Sequence, residues 1–236
     1  MKLKPRLELV ARKVPVSNTV FDIGSDHAYI PIFLIRNKRC NKAVACDIRN
    51  GPLLIAKKNI EIFHYQSKIE TRQGSGLIPI DPSCEDTIVI AGMGGKLIAD
   101  ILEQGKQNAT RCKMLIIQPN YAIEVTRKWL CENGFDIVDE ELCAEDGRIY
   151  NVIVAVYSGI SIYLEDIYYH IGKKLIKKRD PLLIKYINKK VDKFDEIIKQ
   201  IEDNGKGNEK YLDEIKILKN AFKIEGEMLC KLHLKT

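Results

Sequence analysis

The sequence predicts an α/β domain on a seven-stranded, mostly parallel sheet, followed by an α-helical antiparallel coiled-coil hairpin. Three observations carry this expectation. Short apolar and β-branched runs alternate with amphipathic stretches from Asn18 to Tyr157. The last two runs stand back to back with no helix between them. After Gly159 the strand pattern stops, and apolar residues recur at heptad spacing.

Taken in order, Thr19–Ile23 and Ala43–Asp47 read as strands, Lys68–Gln73 as a weaker third, and Thr87–Ala91 and Met114–Gln118 as the next two. Pro52–Phe63 and Lys96–Gln104 carry helical periodicity between them. Continuous apolar strands separated by helices mark a parallel sheet covered on both faces, because neither face of such a strand meets water. Phe135–Leu142 and Arg148–Val156 are joined by Ala-Glu-Asp-Gly, whose Asp-Gly suits a tight hairpin turn. The boundary is expected after residue 159, giving domains 1–159 and 160–236. Tyr163–Lys178 reads as a link. Pro181 can open a helix, since a first turn needs no N–H from it. Beyond it Ile184, Ile187, Val191, Phe194, Ile198 and Ile201 are spaced 3, 4, 3, 4 and 3 apart, an a/d seam. Asn204-Gly205-Lys206-Gly207 breaks the helix. A second seam follows through Tyr211, Ile215, Leu218, Phe222, Leu229 and Leu232, interrupted by Glu225, and two such helices fold back on each other.

Composition narrows the function. An apolar fraction of 45% over 236 residues builds a core and excludes a disordered tail. No leader and no apolar run of about 18 residues is present, so neither secretion nor membrane spanning is expected. Seven scattered cysteines without a Cys-x-x-Cys pair argue for reduced thiols in a cytoplasm and against a structural metal. The net charge is +6, and residues 161–236 hold 17 Lys and Arg against 13 Asp and Glu. That excess fits either an anionic partner or a solvated, lysine-rich helical surface.

FDIGSDHAYI, residues 21–30, begins as a dinucleotide-binding turn would, but the third glycine position is Tyr29. Without it the helix cannot close onto the strand over a pyrophosphate. A carboxylate such as Asp22 or Asp26 instead suits a cofactor carrying an ammonium group. Asp47, about 20 residues beyond Gly24, ends the second strand where an acidic side chain can accept from both ribose hydroxyls, or else cap the next helix. AGMGG, residues 91–95, follows the fourth strand. Its glycines allow backbone to approach a flat substrate and offer N–H and C=O groups to it, or they form a plain turn into the Lys96 helix. Parallel strands closed by an antiparallel hairpin resemble class I (Rossmann-like) methyltransferases, whose cofactor is S-adenosyl-L-methionine.

DIGSDHAYIP (22–31), NGP (50–52), GSGL (74–77), IAGMGG (90–95) and QP (118–119) together resemble the TrmK family of bacterial tRNA adenine-N1 methyltransferases, which act on adenine at tRNA position 22. The resemblance spans roughly residues 3–157, and the helical hairpin is similar to the family's C-terminal region. It implies that Asp22, Gly24, Ser25 and Asp26 line the methionine end of the cofactor and that Asp47 and Ile48 lie at its ribose. It places Gly74, Ser75 and Gly76 by the adenine of the cofactor, Ala91 among the cofactor contacts, and Gly92 and Met93 where methyl and target base meet. Where the family reads Gly-Asp-Gly-Leu this chain has Ser75, whose shorter hydroxyl implies weaker cofactor affinity. The family's Leu-Ser-x-Arg-Leu appears as Leu3-Lys4-Pro5-Arg6-Leu7.

The implied reaction has tRNA as partner, with no membrane and no metal, in a monomer or weak dimer. Asp26 is the candidate catalytic carboxylate, with a structural role as its alternative. His27 and Tyr29 are candidates to touch the substrate, although packing inside the domain is the stronger expectation for both. Gln118 and Pro119 are placed near the substrate. Lys4, Arg6 and Arg12, together with Lys173, Lys174, Lys177, Lys178, Arg179, Lys189 and Lys190, are expected to hold phosphates. Two other readings stay open: a methyltransferase for a small molecule, and a non-catalytic RNA-binding protein on the same fold.

Overall fold

The structure, a computed structural model, describes residues 1–204 and 209–233. The chain forms two compact units, Met1–Tyr163 and Leu164–Thr236. The expected division after residue 159 falls just before this break.

In the first unit, α1 (Pro5–Lys13) precedes β1 (Ser17–Ile23), α2 (Tyr29–Arg36), β2 (Cys40–Asp47), α3 (Asn50–Ile62) and β3 (Ile69–Gln73). Then come β4 (Thr87–Met93), α4 (Gly95–Gln104), α5 (Lys106–Arg111), β5 (Met114–Pro119), α6 (Ile123–Glu132), β6 (Phe135–Glu145) and β7 (Arg148–Tyr157). They form the expected seven-stranded sheet, ordered β3-β2-β1-β4-β5-β7-β6. Only β7 runs antiparallel to its neighbours. The chain winds outward from β1 to β3 and then returns to place β4 on the other side of β1. This reversal opens a crevice at the carboxyl ends of β1 and β4, where ligands of doubly wound sheets bind.

Consecutive strand residues point to opposite faces, so each strand feeds two cores. Val20, Val89, Ile116 and Val154 join the core containing Val10 of α1, Leu34 of α2 and Ala56 of α3. Phe21, Ile88, Ile117 and Ile153 join the core containing Ile98 and Leu102 of α4 and Leu130 of α6. No helix connects β3 to β4. The intervening loop is pinned instead: Arg72 Nη1 donates to Pro79 O at 2.9 Å, and Asn108 Nδ2 donates to Leu77 O and Ile80 O at 2.8 and 2.9 Å.

The β6–β7 turn has φ of 48° at Asp146 and 75° at Gly147, the left-handed pair that a two-residue hairpin of matching twist requires. One feature of β6 had no counterpart in the sequence pattern. Its pairing with β7 shifts between Ile137 and Asp139, a bulge that inserts Val138. After the bulge, Asp139 and Glu141 bond to Lys13 and Arg12 of α1, while Glu140 pairs with Arg127 of α6.

The second unit contains α7 (Asp166–Ile171), α8 (Lys173–Lys178), α9 (Leu183–Asn204) and α10 (Glu209–His233). The stretch expected as a link therefore holds two short helices, with Tyr169, Ile171 and Leu175 buried. Pro181 sits in the turn before α9, where Asp180 Oδ1 accepts from Leu182 N at 2.9 Å. Contacts descend along α10 as they rise along α9: Ile187 meets Gly226, Phe194 stacks edge-on with Phe222 at 5.5 Å, and Glu202 pairs with Lys216. The helices are thus antiparallel. Ile187 and Ile198 are buried, as are Ile215, Phe222 and Leu229 at spacing seven. Two seam positions differ from expectation. Leu183 is buried where Ile184 is only half-buried, and Tyr211 is 49% exposed. Tyr211 lies in the first turn of α10, where a two-helix hairpin covers only the inward side. The expected break from Gly205 to Gly207 and the Leu232 side chain lie outside the described residues.

Candidate functional site

The turn after β1 is built on Gly24. Its φ is +76°, a backbone conformation that favours glycine, and the Met93 methyl lies where a Cβ would go. The N–H groups of Gly24 and Ser25 both donate to Cys46 O at 2.8 Å, tying the turn to β2. Asp22 is 6% exposed and has no ion pair among the described residues. Burial raises its pKa to about 6, while the neighbouring Ser25 hydroxyl pulls the other way. Ser25 Oγ is itself buried, close enough to act on Asp22 yet without a hydrogen bond of good geometry. A lone carboxyl and an orphaned hydroxyl under one cleft fit the ammonium end of an amino-acid ligand.

Arg6, Asp22, Gly24, Ser25, Asp26, His27, Tyr29, Ala91 and Gly92 line one cleft of about 320 Å³. At its mouth the sequence expectation needs correcting. His27 and Tyr29 were expected to pack inside, but their side chains are 40% and 39% exposed. Their rings stack on each other at 5.0 Å and 7°. The backbone is fixed at the mouth, where His27 O accepts from Asn59 Nδ2 at 3.0 Å. Asp26 is exposed and lies 3.4 Å from His27 Nε2.

At the adjoining strand ends, Asp47 is 7% exposed, and its Oδ1 accepts from Arg49 N at 2.8 Å. Ile48 is 61% exposed. Gly74 N donates to Asp47 O at 3.1 Å, and a Cβ on Gly74 would meet Pro79 at 2.7 Å. Gly76 has φ of +52°, and Ser75 is exposed.

The glycine-rich loop after β4 works differently from expectation. Its backbone groups were expected to be offered to a substrate, yet several are engaged within the protein. Gly92 N donates to Gln118 Oε1 at 3.1 Å, and Gly92 O accepts from Asn120 Nδ2 at 2.7 Å. Asn120 N donates to Met93 O, and Gly95 N to Tyr121 O, at 2.7 and 2.8 Å. Gln118 is fully buried beside buried Pro119, and Gln118 Nε2 bonds to Pro119 O and Asn120 Oδ1. Strand ends are where a peptide lacks a ladder partner, and the carboxamides of Gln118 and Asn120 supply one.

Gln118 Oε1 also accepts from Arg6 Nη1. Arg6 N donates to Glu145 at 2.8 Å, and its guanidinium lies 5.5 Å from the Tyr150 ring. Arg6 thus bridges α1, the hairpin and the β4 loop. Lys4 and Arg12 pair with Asp146 and Glu141, but both are largely exposed. Such pairs contribute about 0–1 kcal/mol and exchange readily for phosphates. Sequence reasoning missed Asn120, Tyr121 and Glu145, although Asn120 and Tyr121 directly follow the Gln-Pro motif.

In the second unit, Lys173, Lys177, Lys178, Arg179 and Lys189 are exposed, and Lys174 and Lys190 are half-buried. Lys173 Nζ stands 4.8 Å over the Tyr168 ring, and Lys190 Nζ 5.6 Å over that of Tyr186. Among the described residues no cluster of His, Cys, Asp and Glu can hold a metal, and no helix is long and apolar enough to cross a membrane.

A sheet closed by one antiparallel strand, with an acid-lined cleft at the switch between β1 and β4, defines a class I methyltransferase. Comparison with known proteins narrows this. The TrmK family, described as tRNA (adenine(22)-N(1))-methyltransferase, matches residues 20–225. The Bacillus subtilis (strain 168) tRNA (adenine(22)-N(1))-methyltransferase is 36% identical over 94% of this chain and 97% of its own. M. capricolum TrmK in complex with S-adenosyl-homocysteine superposes with a TM-score of 0.82 at 30% identity, covering 97% of this chain and 100% of that one. Streptococcus pneumoniae Sp1610 in complex with S-adenosyl-L-methionine gives 0.80 at 32% identity, covering 92% and 97%. The chain belongs to the TrmK family.

Proposed function

We propose that this chain methylates N1 of adenine 22 in tRNA, using S-adenosyl-L-methionine. The observation that carries the reading is the buried, unpaired Asp22 carboxyl beside the Gly24 turn, in a chain of this family. When bound, the cofactor supplies an electrophilic methyl on a sulfonium, so the protein's task is alignment and exclusion of water. Asp22 receives the ammonium, with Ser25 beside it. Asp47, buried at the strand end with Oδ1 taking the Arg49 N–H, accepts from the ribose. Gly74, Ser75 and Gly76 border the adenine of the cofactor.

Adenine N1 attacks through its own lone pair, so no strong base is needed beforehand. The methylated base is cationic, and Asp26 at the cleft mouth can stabilise that charge or take a proton from N6. Gly92 and Met93 border the transfer, held in place by Gln118, Asn120 and Arg6. N1 lies on the pairing edge, so the base must leave its stack, at a cost on the order of a few kcal/mol. The exposed His27–Tyr29 pair offers it a stacking surface. The first unit thus carries the chemistry, and the lysines of the second unit hold tRNA phosphates. No second subunit enters this scheme.

Incubating unmodified tRNA with protein and cofactor, followed by nucleoside mass spectrometry, tests the reading. N1-methyladenosine is expected, and it should vanish when A22 is replaced by guanine. No N1-methyladenosine on any tRNA would overturn the proposal.

A further inference from the structure

Tyr121 stands out among the side chains the scheme leaves unused. It follows β5 and is 68% exposed. A singly exposed aromatic is ordinary. This one has a built seat. Gly94 beneath it has φ −74° and ψ 147°, a conformation open to any residue, so the backbone does not call for glycine there. The Tyr121 ring instead occupies the space where a side chain would go, since a Cβ on Gly94 would lie 2.5 Å from both Cζ and Oη. The backbone on either side is fixed as well. Asn120 N bonds to Met93 O and Tyr121 O to Gly95 N, and Ala122 turns into α6 with a left-handed φ of 51°. The outer end of the ring thus lies against Gly94 of the glycine-rich loop, and most of the residue is presented to solvent at the carboxyl end of the sheet.

We infer that Tyr121 is a nucleobase-stacking platform that holds a tRNA base neighbouring the target adenine. The inference rests on the tRNA methyltransferase reading above and adds a residue to it. Extruding a base strips its neighbours of a stacking partner, and an aromatic face held in advance replaces that partner without ordering a loop at the moment of binding. Sheet order puts β4 between β1 and β5, so Tyr121 and the His27–Tyr29 pair flank the glycine-rich loop from opposite sides. The target base enters between them.

The test compares full-length wild type, Tyr121→Ala, Tyr121→Phe and Gly94→Ala. Measured for each are the tRNA Kd by fluorescence anisotropy, kcat and KM for tRNA, and S-adenosylhomocysteine Kd by calorimetry. Tyr121→Ala is expected to weaken tRNA Kd and raise KM by roughly tenfold, the lower part of the range for losing one base–aromatic stack. S-adenosylhomocysteine Kd should stay unchanged. Tyr121→Phe keeps the ring and should restore tRNA affinity. Gly94→Ala, which unseats the ring, should reproduce the alanine defect and add nothing to it in the double variant. Unchanged tRNA Kd in Tyr121→Ala overturns the proposal, as does a phenylalanine variant as weak as alanine. A wild type that binds tRNA but forms no N1-methyladenosine would instead refute the enzymatic reading, while tRNA Kd still decides the role of Tyr121.

Discussion

Asp22 and Asp26 share one turn, and their surroundings separate their roles. Burial favours the protonated form of Asp22 and raises its pKa from 3.8 to about 6. In the free protein this group therefore contributes stability below about pH 4 that is lost as pH rises through 6. An ammonium ligand reverses the preference, because it needs the carboxylate. S-adenosylhomocysteine affinity, followed by calorimetry, should level off above pH 6 and fall by up to about tenfold per unit below it. Asp22→Asn should bind weakly and lose that pH dependence; a variant retaining the wild-type profile would assign the titration elsewhere. The identity of these carboxylates was legible in the sequence, since glycine, acid and strand end fall at fixed spacing. Which one is buried was not, because Asp22 is flanked by Ala45 of β2 and Val89 of β4, both distant in the chain. The exposure of His27 and Tyr29 was missed for the same reason: an aromatic pattern cannot tell a core position from a cleft mouth.

Among elements, β6 shows what a single inserted residue does. Its bulge sends Glu140 to Arg127, and the two side chains, each 1% exposed, meet at 2.7 Å. Removing one partner of a buried pair leaves an uncompensated charge, costing about 3–5 kcal/mol. Glu140→Ala should lower stability by that amount in urea unfolding, while replacing both partners with apolar residues of similar size should recover most of it. A full loss in the double variant would mean that packing, not charge, holds α6 to β6. The strand itself was legible from its apolar runs and the Asp146-Gly147 turn. The bulge was not, because it is fixed by pairing with β7 and leaves no mark in periodicity.

For the whole molecule, the exposed lysines of the second unit are where a phosphate grip can be tested. Changing Lys173, Lys177 and Lys189 to Glu in the full chain should weaken tRNA binding and reduce its salt dependence, by a slope of about 1 for each phosphate no longer neutralised. Cofactor affinity should not move. Equal tRNA affinity at every salt concentration would leave the hairpin without an RNA role. A truncation that keeps the first unit whole would end at Tyr163 and not at the expected boundary after residue 159. Ser161 Oγ bonds to Glu132 O and Ile162 N to Cys131 O, so this stretch is part of the first unit. By itself the sequence determined the strands, the closing hairpin, the two helical seams and the glycine–acid spacing of the cofactor turn. Each is a local pattern, set by periodicity of burial and by backbone conformations that few residues adopt. Only the tertiary structure decided that Gln118 and Asn120 occupy the Gly92 peptide, that Arg6 joins three elements, and that the Tyr121 ring lies over Gly94. Those facts depend on which strand ends lie side by side, and strand order is set by packing across the whole sheet.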